Sequence, residues 1–254
     1  MAIVKGTFQT KEWFDQVETS EHDWVISWKE SASKNGCPAF LKADPKQKAW
    51  VKPRRDQPDI AVKEKVGADL SYLLDLPVAS VLLCKATTPK GQIRPVALSR
   101  YSYSDSHLKW SRVKLKGREK QVIASVNQYF QDNLIQTAGI WVFDTWIRNR
   151  DRTDRNIMIG YSKGQLDDVY FYDFDISMSW RGDLNSGNWS KIFVAKTSEH
   201  ISEKAELKHC MPYIEKIESL PKEDIIRVID RIPDFYLPKD RKEIYKRALL
   251  YRRE

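Results

Sequence analysis

The spacing of apolar positions changes along the chain, and the changes divide it into elements. Thr10–Val17 is expected to form a short first helix with Thr10 as its N-cap. Trp24–Trp28 reads as a strand, and further strands are expected at Ala39–Ala43 and Ala49–Pro53. A longer helix follows, with Val62, Val66, Leu70 and Leu73/Leu74 at three- and four-residue spacing, an amphipathic pattern closed by Leu76-Pro77. Val78–Lys85 has the composition of a buried strand, and after the turn T-T-P-K-G-Q the chain returns as Ile93–Tyr101. Beyond the basic stretch Leu108–Lys120, helices are expected at Gln121–Gln136 and Thr137–Arg148. Two short strands, Ile157–Ile159 and Val169–Tyr172, come next. Three helices close the chain: Ser202–Ser219, Lys222–Arg231 and Lys239–Arg253. Strands with one main helix, then mostly helices, predict an α+β protein of two lobes, about 1–101 and about 102–254, with no internal repeat.

The 254 residues suffice for one large domain or two small ones. A hydrophobic content of 41% and nine tryptophans speak for a packed core and against disorder. No apolar run approaches the ~18 residues of a membrane span, and the start M-A-I-V-K-G-T-F lacks the form of a secretory signal. Cys37, Cys84 and Cys210 are far apart and odd in number, as in a protein with reduced thiols, so a cytoplasmic location is expected. The four histidines show no metal-ligand spacing. The formal charge of +8 is concentrated partly in L-K-W-S-R-V-K-L-K-G-R-E-K, which includes Trp110. Such a segment (109–120) suits a phosphate backbone, an acidic protein or an RNA-associated partner. The charges of Lys239–Arg253 alternate in the manner of a solvated helix face.

The chemistry is carried by W-I-R-N-R-D-R-T-D-R-N-I-M-I-G and, after a spacer, V-Y-F-Y-D-F-D. A helix leads to a polar loop with Asp151 and, five residues on, Asn156; a hairpin then delivers Asp173 at a strand tip. Phosphoryl transfer from a nucleotide needs a carboxylate to take the acceptor's proton, and an amide with a second carboxylate to hold the bridging metal. The Asp-x4-Asn spacing equals that of the protein-kinase catalytic loop. An exposed, charged turn would carry the same residues. Upstream, Lys52 stands at the end of an apolar strand, where a charge is awkward, and Glu64 lies early on the following helix; the two can form the pair that anchors nucleotide phosphates. The small-residue loop Ser31–Gly36 can offer backbone N–H groups to phosphate, although an ordinary connection is the better account of it, and no glycine-rich nucleotide motif is present. Ala97–Tyr101 is where a chain crossing between the lobes would run, and its backbone groups could meet an adenine edge there. Asp144, charged in apolar surroundings, is expected to brace the loop through hydrogen bonds. The chemistry requires Lys52, Asp151 and Asp173 around one shared cleft.

These segments resemble the HipA-like kinases, particularly their short members. The similarity runs through V-K at Val51-Lys52, E-K-V-G-A-D-L-S-Y-L-L-D-L-P-V, F-D-T-W-I-R-N-R-D-R-T-D-R-N-I-M, Y-D-F-D and R-I-P-D-F-Y-L. The resemblance implies a two-lobed protein-kinase-like fold and transfer of a phosphoryl group from ATP, with Mg2+, to serine or threonine hydroxyls of a protein substrate. It places Asp151 as general base, Asn156 and Asp173 at the metal, and Lys52 with Glu64 at the phosphates. Arg152 would brace the loop or neutralise developing charge. Ser31 or Ser33 would stand where relatives carry an inhibitory phosphoserine, and an antitoxin-like partner is a further implication. A lipid or small-molecule kinase on the same fold, and a non-catalytic pseudokinase-like module, are the alternatives. Three departures stand out: Arg148 where a glycine is frequent, Thr153 for a frequent histidine, and Asp175 in place of a small residue, adding a carboxylate near the metal position.

Overall fold

The computed structural model describes residues 9–28, 36–52, 59–101, 104, 106–111, 120–163, 165–178, 195 and 204–254. Chain order begins with helix α1 (Lys11–Asp15), strands β1 (Glu18–Thr19), β2 (Trp24–Ile26), β3 (Cys37–Leu41) and β4 (Lys48–Lys52), then helix α2 (Ile60–Leu73). Strands β5 (Val81–Thr87), β6 (Ile93–Arg100) and β7 (Ser106–Lys109) lead to helices α3 (Lys120–Asp132) and α4 (Leu134–Trp146). A 3-10 turn at Asp154–Asn156 opens the hairpin β8 (Ile157–Ser162) and β9 (Gln165–Phe171). Helices α5 (Leu207–Ser219), α6 (Lys222–Asp230) and α7 (Lys239–Arg253) complete the chain.

Six strands form one sheet in the order β1-β5-β6-β4-β3-β2, antiparallel except for the parallel β1–β5 pair. Side chains of a strand alternate between its faces, and here each face has its own partner. Trp24, Ala39, Ala49, Val51, Leu82, Cys84, Val96 and Leu98 pack with Trp13 of α1 on one side. Val81, Leu83 and Ala97 join α2 on the other. Because Ala49 and Val51 fill the first face, Lys52 falls on the second, the face that carries α2. The α+β, two-lobed expectation holds in this arrangement: an N-terminal, largely antiparallel sheet and a helical C-terminal half.

A second sheet, β7-β8-β9, belongs to the C-terminal half. It is stitched to the chain after α2 by Phe171 N donating to Pro77 O (2.8 Å) and Ala79 N donating to Phe171 O (2.9 Å). The main core is shared: Val62, Val66 and Leu70 of α2 lie in one apolar cluster with Phe143, Ile147, Phe171, Phe174, Ile225 and Tyr245.

Three expectations change. The helix over residues 60–73 is not amphipathic, since every residue from Ile60 to Ser71 is buried. Its charged residues are tolerated because each meets a partner, a relation between distant segments that periodicity does not record. Trp110 does not face outward with the basic segment. It is fully buried against Phe130, ring centroids 6.3 Å apart, and residues 112–119 lie outside the described ones. The terminal helix keeps a solvated face at Lys239, Asp240, Glu243 and Arg247 but spends other cations on the protein itself: Lys242 pairs with Asp234 (2.8 Å), Lys246 with Asp230 (2.9 Å), and Arg252 donates to the Trp146 and Thr145 carbonyls. Among the described residues no helix is long and apolar enough to cross a membrane.

Gly139 on α4 sets the distance to α5. A Cβ there would sit 2.4 Å from Tyr213 Cδ2 and 2.6 Å from Cγ, a contact with the body of a ring. Alanine improves helix propensity by about 1 kcal/mol, whereas overpacking of this kind costs about 1–3 kcal/mol. Gly139→Ala is therefore expected to destabilise the protein by up to about 2 kcal/mol, measured by urea unfolding; a raised midpoint would contradict this packing.

Candidate active site

At the end of β4 the Lys52 ammonium lies 2.6 Å from Glu64 Oε1 and 2.9 Å from Asp173 Oδ1. The same Glu64 oxygen accepts a hydrogen bond from the backbone N–H of Phe174 (3.0 Å). One carboxylate of α2 thus holds both the strand lysine and the peptide next to Asp173. Burial alone would push the Lys52 amine down, but the Asp173 and Glu64 carboxylates outweigh it and keep the group firmly protonated. Burial pushes Glu64 up to about 7 against the pull of Lys52. Asp173 is held well below the usual carboxylate range because Lys52 outweighs its burial. The Asp173 backbone is left-handed, φ +76°, uncommon outside glycine but more accessible to aspartate than to most residues, and it is fixed here between β9 and the Glu64 bond.

Close approach at this point depends on Gly67, one turn beyond Glu64. A Cβ on Gly67 would meet Phe174 Cγ at 2.6 Å. The missing side chain lets α2 sit directly on the Phe174 ring, which also packs edge-on against Phe143 of α4 (5.9 Å between centroids).

The catalytic-type loop begins where α4 ends. Asn149 N donates to Asp144 O (2.7 Å) and Arg148 N to Thr145 O (3.3 Å), with Arg148 left-handed at φ +55° between them. This is the Schellman closure, in which glycine is favoured at the left-handed position. The frequent glycine at position 148 thereby acquires a reason, and arginine adopts the same conformation at an intrinsic cost of about 1–2 kcal/mol. Asp144 is wholly buried. Its carboxylate accepts from Asn149 Nδ2 (2.8 Å), Arg152 Nε (2.8 Å) and Arg152 Nη2 (3.0 Å). Asn149 Oδ1 in turn accepts from Asp151 N (3.3 Å).

Hairpin pairing brings the loop to the lysine cluster. Tyr172 N donates to Asn156 O (3.3 Å), so Asn156 and Asp173 stand at adjacent strand ends. Arg152 Nη1 donates to the carbonyls of both Asn156 and Tyr172, and Asn156 Nδ2 donates to the Asp151 carbonyl. Lys52, Glu64, Asp173, Asn156 and Asp151 therefore form one connected group, with Asp151 half-buried at its end.

A family model for HipA-like kinases matches residues 38–252. The chain belongs to the HipA-like kinase family. It is similar in fold to the Helicobacter pylori proinflammatory kinase CtkA, whose crystal structure superposes with a TM-score of 0.66 at 17% identity over 93% of this chain and 94% of that one. It is also similar to a chain of the Shewanella oneidensis MR-1 toxin–antitoxin complex of HipA, HipB and operator DNA, with a TM-score of 0.43 at 14% identity, over 91% of this chain and 62% of that one. No curated protein matches the chain.

Of the residues singled out in the sequence of this HipA-like kinase, Lys52, Glu64 and Asp173 are in direct contact, and Asn156 and Asp151 join them through the hairpin and the loop. Arg152, expected among the catalytic residues, has a guanidinium buried completely against Asp144 and two carbonyls, which are the contacts of a positioning residue. Ser31 and Ser33 lie outside the described residues. The backbone expected to meet an adenine edge is partly committed elsewhere: Arg100 N donates to Ser80 O and Tyr101 N to Lys48 O, both at 2.9 Å. Asn149 was missed, although Asn-x-Asp was visible, because its role is to join Asp144 to Asp151. Gly67 was missed because a glycine within a helix signals close packing only once the neighbour is known.

Two outcomes are expected. Asp144→Ala leaves the Arg152 guanidinium buried without its anion and should cost about 3–5 kcal/mol in urea unfolding; a loss below about 1 kcal/mol would show that water or another carboxylate replaces it. The second concerns pH. The folded pKa of Glu64, about 7, lies above its ordinary value of 4.5. Between those two values the unfolded chain releases this proton first, so the contribution of Glu64 to stability declines as pH rises through that window and levels off above it. From pH 4 to 8 the stability of wild type minus that of Glu64→Gln should fall, whatever its starting sign. A flat or rising value would mean an ordinary or lowered Glu64 pKa.

Proposed function

We propose that this HipA-like kinase is an ATP- and magnesium-dependent serine/threonine protein kinase, built as one domain of two lobes. The observation that carries the reading is the Lys52 ammonium held between Glu64 and Asp173, carboxylates from opposite halves of the chain. In the proposed reaction Lys52 binds phosphate oxygens and Glu64 fixes its position. Asp151 accepts the proton of the acceptor hydroxyl as its oxygen forms a bond to the γ-phosphorus, and the bond from that phosphorus to the β,γ-bridging oxygen breaks. The negative charge on that oxygen leaves with ADP. Most of the acceleration in such a transfer comes from alignment and charge stabilisation.

The residues present fit a hard divalent cation. Asp173 is kept ionised beside Lys52 and its side chain is 22% exposed. The Asn156 amide nitrogen is engaged by Asp151 O, which leaves its carbonyl oxygen as the donor atom for a metal. Among the described residues no group of three or more His, Cys, Asp or Glu could hold a metal unaided. That is the usual situation for Mg2+, which completes its shell with phosphate oxygens and water. When bound it would neutralise charge on the phosphates. Asp175, 7% exposed beside Asp173, sets the local charge more negative.

With labelled ATP, Mg2+ and a protein acceptor mixture, the wild type should label serine or threonine. Asp151→Asn should lower turnover by about 10²–10⁴-fold with nucleotide affinity nearly unchanged, and Asp173→Asn should weaken the Mg2+-dependent part of nucleotide binding. Wild-type turnover in Asp151→Asn would remove that residue as base. Label found in extracted lipid or a small molecule, and in no protein, would redirect the assignment to another acceptor class.

A further inference from the structure

Three consecutive charged residues of α2, Lys63, Glu64 and Lys65, are all buried. Successive helical side chains diverge by about 100°, so the three point to different sides. Lys63 donates to Asp175 O (3.4 Å) and lies 3.8 Å from Asp59. Glu64 faces Lys52. Lys65, with no solvent exposure, donates to Trp13 O (2.8 Å) and Gln16 O (2.9 Å) and pairs with Asp69 (3.0 Å). An ammonium has three N–H donors, and those three acceptors match them. Asp69 also pairs with Arg231, just after α6. Arg231 lies over the Phe14 ring of α1 (4.4 Å), and Phe14 stacks on Tyr72 of α2 (4.4 Å).

This network joins three distant stretches at one point: the α1–β1 segment, the glutamate helix and the end of α6. Its members lie on α2 beside and one turn beyond Glu64. We infer that Lys65, Asp69 and Arg231 are positioning residues for the Lys52–Glu64 pair: they fix the rotation of α2 about its axis and so place the Glu64 carboxylate. This rests on the proposed reading of Lys52 and Glu64 as the phosphate-anchoring pair. With a helix radius of about 5–6 Å including side chains, a rotation of roughly 10° displaces a side-chain tip by about 1 Å. Such a shift is large against a 2.6 Å contact, and a 1 Å misplacement lowers the efficiency of a site by up to about 100-fold. Apolar contacts are non-directional, whereas the bonds of Lys65 and Asp69 are satisfied at one rotation of the helix.

The test uses the full chain. Lys65→Met keeps the length of the side chain and removes its three bonds. Two quantities are read: affinity for a non-hydrolysable ATP analogue with Mg2+, and the rate at which Lys52 is labelled by an amine reagent, followed by mass spectrometry. Lys65→Met should weaken nucleotide binding about tenfold or more and raise Lys52 labelling, with far-UV circular dichroism unchanged. In a Glu64→Gln background the same substitution should add little to either, because the network acts through Glu64. Equal losses in the two backgrounds, or unchanged affinity and labelling in a folded variant, would overturn the inference. Should Lys65→Met not fold, Arg231→Met at its partly exposed site enters the same cycle; failure of both to fold would assign the network to stability alone and also overturn it. A wild type that binds no nucleotide would count against the kinase mechanism, while Lys52 labelling would still decide the positioning role.

Discussion

A nearly enclosed ammonium needs anions, and the demand of Lys52, its side chain 11% exposed, organises the molecule. Leaving such a charge uncompensated is among the costliest errors a fold can contain. Its two carboxylates come from α2 and from the end of β9, so the sheet, the helix and the hairpin must be assembled before the charge is satisfied. The backbone bond from Phe174 to Glu64 closes the arrangement from the other side. The same demand makes the group useful: a lysine kept charged and stationary, beside a carboxylate kept ionised, is prepared for a polyphosphate before one arrives.

A second constraint acts on the loop. Asp144 and Arg152 have no solvent, and each satisfies the other while bonding outward to Asn149, Asn156 and Tyr172. The bonds outward carry the mechanical consequence. Through them the end of α4, the loop that bears Asp151 and the strand end that bears Asp173 become one body. Buried ion pairs often contribute little net stability against an apolar replacement. Their value here lies in specifying one loop geometry.

Legibility in the sequence followed the range of the interaction. The Lys52 strand, the Glu64 helix and the Asp-x4-Asn loop were readable because each is a local pattern: apolar alternation, helical spacing, a polar interval between apolar runs. The end of α4 was readable as well, where the apolar run gives way to a polar loop near Ile147; that glycine is frequent at position 148 came from the family resemblance. What escaped reading depended on partners far along the chain. Lys65 and Asp69 look like the polar face of an amphipathic helix until Trp13, Gln16 and Arg231 are brought against them. Trp110, set among lysines and arginines, resembles a surface aromatic, yet the β7–β8 pairing turns it into the core beside Phe130. The parallel β1–β5 pair is likewise invisible locally, because a two-residue strand has no period.

Gly67 shows how these scales meet. In the sequence it weakens a helix by about 1 kcal/mol relative to alanine, and on that ground alone it is a defect. In the structure it is the point at which α2 can lie on Phe174 closely enough for Glu64 to reach both Lys52 and the Phe174 amide. Any side chain there separates the helix from the aromatic ring, and the two bonds to Glu64 would have to lengthen together. The helix therefore carries a propensity cost of order 1 kcal/mol to keep a contact whose loss would expose a buried lysine to an incomplete set of anions, a penalty several times larger. The comparison of magnitudes favours glycine, and it does so for a reason located in the site and not in the helix.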